Sequence, residues 1–271
     1  DGVTINSSDN EAVDVYPNYL QLTVDQSELL YGSSGAQNNY IAGEPFTVSI
    51  GAYGVNDALL PNYQAESPQL KVTRIQPAST GRNGHFKYSD TGTISAQLTA
   101  NFTSATGLSF SAGEHQYTTA YYDEVGRINI DVKDNSYLGN EILSNGSITL
   151  GDFYPAYFGV ALSATPSLAD TCDIFSYVGE TITFATDPEF TITAYNALNV
   201  ITENYSDNYW NYLPNESTLE ANLSFMDTST YQLTGTAIVI DLGDTPLITN
   251  NDNFNGSGTV TITNGRFRYN K

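Results

Sequence analysis

The sequence predicts an all-β chain made of two tandem immunoglobulin-like β-sandwich modules. Three observations predict it: short segments in which apolar and polar residues alternate, turn residues between them, and a long internal repeat. The composition agrees, because 12% of the 271 residues are aromatic and Tyr (20) far outnumbers Trp (1). Aromatic and β-branched residues suit a pleated, half-buried surface. Short helical turns are expected only near residues 25–30 and 167–170.

Five segments alternate cleanly enough to be assigned as strands. Successive side chains of a strand point to opposite faces, so each segment would place one face on a core and the other in water. In chain order they are residues 19–24, 46–50, 127–132, 190–194 and 259–263. Gly, Asn, Asp or Pro separate the strands at intervals of roughly 8–12 residues, which indicates a sandwich or a barrel. Asn264-Gly265 has strand patterns on both sides and predicts a hairpin.

The chain carries the same pattern twice. The matched segments are Tyr16-Pro17-Asn18-Tyr19 with Tyr154-Pro155-Ala156-Tyr157, Ala52-Tyr53 with Ala194-Tyr195, and Asn62-Tyr63 with Asn204-Tyr205. The offset is 138 residues at Tyr16 and 142 at Ala52. A period of this length is that of a whole domain, because solenoid units have only about 20–50 residues.

The repeat also predicts where the modules begin and end. A proline can open a strand but does not sit inside a central one, so each Tyr-Pro pair is expected to start a module. The first module is therefore predicted over residues 1–152 and the second over 153–271, with residues 1–14 the tail of a preceding unit. Aligning Ser111-Ala112-Gly113 with Gly256-Ser257-Gly258 leaves the second module without its last strands. Such a module would have an open strand edge, through which the protein could self-assemble.

The charge restricts the partners. The net charge is −21, from 30 acidic and 9 basic residues, which excludes nucleic acid because phosphate binding depends on Lys and Arg. Anionic membrane surfaces are disfavoured for the same reason. The sequence contains no run of 18 apolar residues, so direct membrane insertion is not expected. A solvated acidic surface suited to salty water is the simple explanation of this charge. The single Cys172 either pairs outside the chain or, as expected here, is buried as a small apolar residue.

The second copy carries runs specific enough for a family resemblance. Gly151–Phe158 precedes Cys172–Glu180, which precedes Phe190–Ala197 and Thr202–Tyr205. This order resembles the C-terminal region of MshQ-type proteins, encoded with the mannose-sensitive haemagglutinin type IV pilus of marine and aquatic Gram-negative bacteria. In that region a Phe-x-Pro-x-x-Phe start, a Cys before Phe-x-Tyr-x-Gly, and an Ala-x-Asn-Ala and Asn-Tyr run recur in this order. The resemblance implies a secreted or cell-surface, pilus-associated protein and brings no catalytic motif.

The two histidines do not point to catalysis. His85 and His115 lack a helix-borne partner motif for a metal, and the sequence has neither a Gly-x-Ser-x-Gly elbow nor a phosphate-binding loop. A carboxylate pair for glycoside hydrolysis is a chance expectation among 30 acidic residues. We therefore predict that the protein is not an enzyme. The role of accessory domain of a secreted hydrolase is an alternative.

Oxygen-rich loops make calcium the one cofactor that the sequence suggests. Calcium takes its ligands from carboxylates, amide oxygens and backbone carbonyls. The candidate ligands are Asp241, Asp244, Asn250 and Asp252, and two further clusters are Asp9 with Glu11 and Asp14, and Asp131 with Asp134. Turn formation by Asp and Asn explains the same clusters without a metal.

A glycan platform is the second candidate site. Tyr209, Trp210 and Tyr212 stand beside Asp207, and sugar recognition needs flat rings for CH faces together with hydrogen-bonding groups for hydroxyls. The alternative is that Trp210 is the buried tryptophan of a β-sandwich. We predict a structural or adhesive module of a bacterial surface or pilus-associated protein that contributes to attachment. Its expected partners are pilus or surface proteins, and glycans if the platform is real.

Overall fold

A computed structural model of the chain describes residues 14–26, 29–30, 40–79, 81–170, 172–173, 175, 181–187, 189–205, 239–241, 247–250, 256–263 and 266–268. The chain divides into two units, Asp1–Phe153 and Tyr154–Lys271. Strands make up the regular structure of the described residues, which confirms the all-β, sandwich-like prediction. In the described part, no helix is long and apolar enough to span a membrane.

The first unit is a sandwich of two antiparallel sheets. Its strands are β1 (Tyr19–Val24), β2 (Tyr40–Ile41), β3 (Phe46–Tyr53), β4 (Pro68–Gln76), β5 (His85–Lys87), β6 (Thr93–Ser95), β7 (Thr103–Ser104), β8 (Glu114–Tyr122), β9 (Gly126–Tyr137), β10 (Asn140–Leu143) and β11 (Ile148–Tyr154). One sheet has the order β1-β3-β8-β5-β6. The other has the order β2-β11-β9-β4-β7, with β10 paired to β9. The edges β6 and β7 are only three and two residues long.

Alternation of side chains builds the core of this unit. In β9, Ile128, Ile130 and Val132 are buried, whereas the residues between them are half-exposed. In the other sheet, Val48 and Ile50 of β3 are buried. These two residues and the three of β9 belong to one buried cluster. Two sheets that share one apolar layer bury enough surface to hold the unit together without a disulfide or a metal.

The second unit also contains two sheets. Its strands are β12 (Tyr157–Ala164), β13 (Ser167–Leu168), β14 (Thr181–Thr186), β15 (Glu189–Tyr195), β16 (Val239–Asp241), β17 (Leu247–Asn250), β18 (Ser257–Thr263) and β19 (Arg266–Arg268). The sheets have the orders β12-β15-β18-β17 and β13-β14-β19-β16. Ile192 and Ala194 of β15 are buried, at 4% and 0% exposure. The same period-two pattern that organises β9 is therefore present here.

The internal repeat corresponds to a repeated strand arrangement. The order β1-β3-β8 in the first unit matches β12-β15-β18 in the second. The registers agree, because Tyr19 lies opposite Tyr53 as Tyr157 lies opposite Tyr195. Each unit therefore contains the same three adjacent antiparallel strands, in the places that the two sequence copies predict.

The hydrogen bonds correct one part of the sequence alignment. Gly113 accepts from the Ala52 N–H at 3.0 Å, and Gly256 accepts from the Ala194 N–H at 2.7 Å. Gly113 thus corresponds to Gly256, two residues from the position at which matching of the letters Ser, Ala and Gly had placed the copies. Hydrogen-bonding position is the better guide because short Ser- and Gly-rich runs match by chance.

A close approach explains why glycine occupies both positions. Gly113 and Gly256 have φ values of +84° and +71°, in the region that favours glycine. A Cβ on Gly113 would run into the carbonyl oxygen of Leu60, and one on Gly256 into that of Thr202. Leu60 and Thr202 are equivalent residues, so the repeat extends to the turns before β8 and β18.

Three smaller predictions differ from the structure. The helical turn expected at 167–170 is wrong, because Ser167–Leu168 forms the strand β13. The hairpin expected at Asn264-Gly265 is wrong as well, because the flanking strands β18 and β19 belong to different sheets; the two turn residues themselves lie outside the described residues. Cys172 is half-buried rather than buried and forms a β-bridge with Phe175.

Candidate functional site

The predicted glycan platform falls outside the described residues. This applies to Asp207, Tyr209, Trp210 and Tyr212 together. Its sequence argument is unchanged, and the platform stays a prediction.

The predicted calcium ligands are only partly described. Asp244 and Asp252 lie outside the described residues, whereas Asp241 ends β16 and Asn250 ends β17, in different sheets of the second unit. Asp9 and Glu11 also lie outside, and Asp14 is exposed. Within the described residues, no group of three or more His, Cys, Asp or Glu side chains is placed to hold a metal ion. Calcium binding therefore stays a prediction.

The remaining acidic cluster is separated by the pleat of β9. Asp134 is fully buried and accepts hydrogen bonds from the Tyr63 hydroxyl and from two backbone N–H groups of residues 66–67, each at 2.9 Å. Asp131 lies on the outer face, 3.0 Å from Nζ of Lys71. Residues three apart on a strand point to opposite faces. The structure therefore does not bring these two carboxylates together as ligands, and Asp134 instead anchors a turn.

His115 has a structural role. It is 4% exposed, with Nε2 at 3.1 Å from the Tyr88 carbonyl oxygen and Nδ1 at 3.1 Å from the Ser109 N–H. Both ring nitrogens therefore have backbone partners within hydrogen-bonding distance, Nε2 at Tyr88 and Nδ1 at Ser109. Neither nitrogen is then available to a substrate or a metal.

His85 is the histidine that meets a carboxylate. Its Nδ1 lies 3.2 Å from Asp123, which also accepts from the His85 backbone N–H at 2.6 Å. Ser95 lies directly opposite His85 on β6. Asp123 directly follows β8, His85 opens β5 and Ser95 ends β6, so the three residues are neighbours. Among the described contacts, no side-chain hydrogen bond joins Ser95 to His85. The His85 side chain is 45% exposed, so this row lies on the surface and not in a cleft.

A cavity of about 350 Å³ lies at the open side of the first unit, between the edge strands β6 and β7. We name it the edge pocket. Its lining residues are Val72, Thr93, Ile94, Ser95, Gln97, Ala100, Asn101 and Thr103. Its volume is at the small end of the range of about 300–1,000 Å³ that is typical of small-molecule sites.

The sheets hold the walls of the edge pocket in place. Beyond β6 the chain crosses to the other sheet, where Gln97 bridges β4 by donating to the Val72 carbonyl (3.2 Å) and accepting from the Arg74 N–H (2.8 Å). The returning strand β7 then pairs with β4, with Thr103 opposite Leu70. The segment from β6 to β7 is therefore fixed to β4 at both ends, and the pocket between them is preformed.

The polar side chains of the edge pocket are free to bind a ligand. Thr93, Ser95, Gln97 and Asn101 make no side-chain hydrogen bond to the protein in the described part of the chain. Thr103 Oγ1 donates to the Leu70 carbonyl at 3.4 Å. The lining contains hydroxyls, amides and aliphatic groups and no charged side chain.

A second feature is a surface pair of stacked tyrosines at the start of the first unit. The Tyr19 and Tyr53 rings lie 5.4 Å apart at 17°, across the β1–β3 pair. The Tyr19 hydroxyl donates to Asp57 at 2.8 Å, and Asp57 adopts a φ of +58° in the turn after β3. The hydrogen bond to Asp57 is the main cause that raises the pKa of the Tyr19 phenol, and burial and the Asp57 charge raise it further.

The second unit contains the same arrangement. The Tyr157 and Tyr195 rings lie 5.2 Å apart at 15°, and the Tyr157 hydroxyl donates to Asn199 at 2.8 Å. Asn199 has a φ of +63°. We call each set of two tyrosines and one Asp or Asn a tyrosine clamp. Each clamp joins the first strand of its unit, β1 or β12, to its paired strand, β3 or β15, and to the turn after that paired strand.

Sequence reasoning did not identify the edge pocket. Its walls come from three segments, and no spacing rule connects them. One signal was present: from Thr91 to Gly113 the chain has no charged residue, although the protein as a whole has 39. A long uncharged, hydroxyl-rich stretch in a strongly acidic protein indicates a surface that is shaped for something other than solubility.

Comparison with known proteins identifies the family. Residues 124–271 match the family model described as DUF6701, third domain. The match covers more than half of the chain and begins within the first unit, just before β9. The chain therefore belongs to the DUF6701 family. No curated protein and no solved structure matches it.

Proposed function

We propose that this DUF6701 chain is a non-catalytic structural and adhesive part of a bacterial surface protein. The observation that supports the proposal is the tyrosine clamp, which occurs at the same place in both units. A binding or catalytic residue is needed once per site. A device that recurs at the entry of each unit serves the unit itself.

The clamp is placed where tension enters a tandem chain. A surface protein is pulled along its chain, and the first strand of a unit is then the first element to be peeled away. In both units the clamp fixes this strand beyond its backbone ladder, since Tyr19 and Tyr157 each make one ring contact and one hydrogen bond. Aromatic pairs across antiparallel strands stabilise the strand pair.

The finer part of the proposal concerns where the protein acts. The runs from Gly151 to Tyr205 resemble the C-terminal region of MshQ-type proteins, so we propose a secreted, outer-membrane or pilus-associated location. Pilus or surface proteins are the proposed partners. The net charge of −21 supports this setting, because it keeps a long extracellular protein soluble and away from nucleic acids.

Force spectroscopy tests the mechanical part. The whole chain is pulled from its two ends, and the unfolding force of each unit is compared with that of Tyr19→Ala and Tyr157→Ala. Each substitution should lower the force of its own unit and leave the other unchanged. Tyr16→Ala is the matched control, since Tyr16 is half-exposed and lies just before β1. Equal forces in all four proteins would remove the clamp as the basis of the proposal.

An attachment assay tests the biological part. Bacteria that lack the coding region of this chain should bind less to surfaces than the parent strain, and antibody should label the chain on intact cells. Unchanged attachment together with a label confined to the cell interior would contradict a surface role.

A further inference from the structure

We propose that the edge pocket binds a neutral saccharide, either a single sugar or a disaccharide. This goes beyond the proposed function, because a mechanical role needs no ligand. The inference rests on the residues between β6 and β7 and is independent of the predicted platform around Trp210. A sugar site in the first unit would give the protein an attachment activity of its own.

The first argument is the chemistry of the lining. A sugar hydroxyl both donates and accepts, and it is matched best by groups that do the same. Thr93 and Ser95 supply hydroxyls and Gln97 and Asn101 supply amides, and these groups have both donors and acceptors. Since the protein does not use them internally, binding would not break existing hydrogen bonds.

The second argument is the apolar part of the lining. Ile94 and Ala100 are partly exposed in the lining, above the fully buried Val72, and these two residues offer the apolar surface. Such aliphatic groups suit the CH faces of a sugar ring, which lose water favourably on contact. Phe102 does not contribute a ring here, because it lies against Lys71 and Lys133 at 4.8 and 4.9 Å.

The third argument is charge. The edge pocket has no charged lining residue, so it offers no partner to the carboxylate of an acidic sugar. The net charge of −21 also repels anions from the surface. A neutral ligand is therefore favoured over uronic or sialic acids, and over phosphates and sulfates.

The fourth argument is preorganisation. The pocket walls are fixed to β4 through Gln97 and through Thr103, so little backbone order has to be gained on binding. A preformed site loses less free energy to ordering than a flexible one. The other occupant that an edge position allows is a peptide strand added to β6, and the experiment separates the two.

Titration of the whole chain with sugars, followed by NMR, is the test. The probes are glucose, galactose, mannose, N-acetylglucosamine, lactose and maltose, with glucuronate as the charged counterpart. At least one neutral sugar should give saturable shifts that are confined to the backbone amides of residues 93–103. Glucuronate should give weaker shifts or none.

Three variants locate the site. Asn101→Leu should weaken binding about five- to tenfold, because a ligand hydroxyl loses its partner. Ser95→Trp should abolish binding by filling the cavity. Thr118→Trp, an exposed position on β8, is the matched control and should bind as the original chain does. Melting curves of all three establish that they are folded.

Several outcomes would overturn the proposal. The proposal is wrong if none of the sugars shifts the amide signals, or if the shifts map outside residues 93–103. It is also wrong if Ser95→Trp binds as well as the original chain, or if an extended peptide gives the response instead of a sugar. None of these outcomes bears on the mechanical test of the tyrosine clamps, so the two proposals can fail separately.

Discussion

The first strands of the two units have the same outer face and different inner faces. The strands β1 and β12 pair with β3 and β15 in the same register and carry the same tyrosine clamp. On the inner face, Leu22 of β1 is 4% exposed, whereas Val160, its counterpart in β12, is 59% exposed. Leu20 is 1% exposed, whereas Phe158, its counterpart in β12, is only partly buried.

The second sheet of the first unit accounts for this difference. The strand β1 contacts β9 and β10, and Leu20 forms a bridge with Ser144 and accepts from the Asn145 N–H at 2.8 Å. The described part of the second unit contains no strand in the corresponding place over β12. Strand position is therefore encoded locally, through the ladder and the clamp, and burial of the inner face depends on strands far away in sequence.

The largest effect that we predict tests this inner face. Leu22→Asp should unfold the first unit, because it buries an unpaired charge at a cost of several kcal/mol. Val160→Asp should lower the free energy of unfolding by less than about 0.5 kcal/mol, as is usual for an exposed site. Denaturant unfolding followed by circular dichroism measures both. A Val160→Asp effect as large as that of Leu22→Asp would show that β12 is covered in solution.

The next prediction tests an anchor that only the first unit has among the described residues. Asp134→Ala removes the acceptor of the Tyr63 hydroxyl and of three backbone N–H groups, and should cost about 3 kcal/mol or more. Asp131→Ala is the matched control on the same strand. It removes a half-exposed pair with Lys71 and a hydrogen bond from the Ser144 hydroxyl, and should cost less, about 1 kcal/mol.

These anchors show what sequence reasoning can reach. The strands at 19–24 and 127–132 were predicted correctly, because alternation is a local property that the ladder preserves. The pairing of Asp134 with Tyr63 could not be predicted, because 71 residues separate the partners and nothing nearby distinguishes Asp134 from Asp131. From the sequence, turn formation explained Asp131 and Asp134 equally well.

Sheet partners were equally hard to predict. Asn264-Gly265 has the letters of a hairpin turn, but the choice between a hairpin and a crossing to the other sheet is made by the strands that β19 finds, β14 and β16. The edge pocket could not be predicted for the same reason, because it depends on which strands pair. Its walls are ordinary Thr, Ser and Asn residues until the bridge of Gln97 to β4 brings them together.

Two buried tyrosines make the stability of the first unit depend on alkaline pH. Burial, followed by the charge of Glu124, raises the pKa of the Tyr122 phenol above its ordinary value near 10, and burial and Asp134 do the same for Tyr63. A raised pKa in the folded state means that the neutral phenols stabilise the fold fully below pH 10. This contribution is lost as the pH rises above 10, where only the unfolded phenol ionises freely.

The first unit should therefore lose stability between pH 9 and pH 11. Tyr122→Phe should reduce the loss, since a phenylalanine has nothing to ionise. Unfolding of both proteins at the two pH values measures the difference. The same pH dependence in the original chain and in Tyr122→Phe would contradict the assignment.

The smallest effect that we predict concerns the one feature that the units share in full. Tyr19→Phe and Tyr157→Phe keep the stacked rings and remove only the hydrogen bonds to Asp57 and Asn199. Both acceptors are exposed, so water replaces the lost hydroxyl at little cost. The two substitutions should lower the melting temperature of their units slightly and by similar amounts, as scanning calorimetry can measure.

A larger loss at Tyr19 would mean that the Asp57 carboxylate makes the first clamp stronger, since hydrogen bonds to charged acceptors are stronger than those to neutral ones. Equal losses would mean that stacking and backbone pairing dominate, and that the repeat preserves the geometry of the clamp whichever of the two acceptors is present.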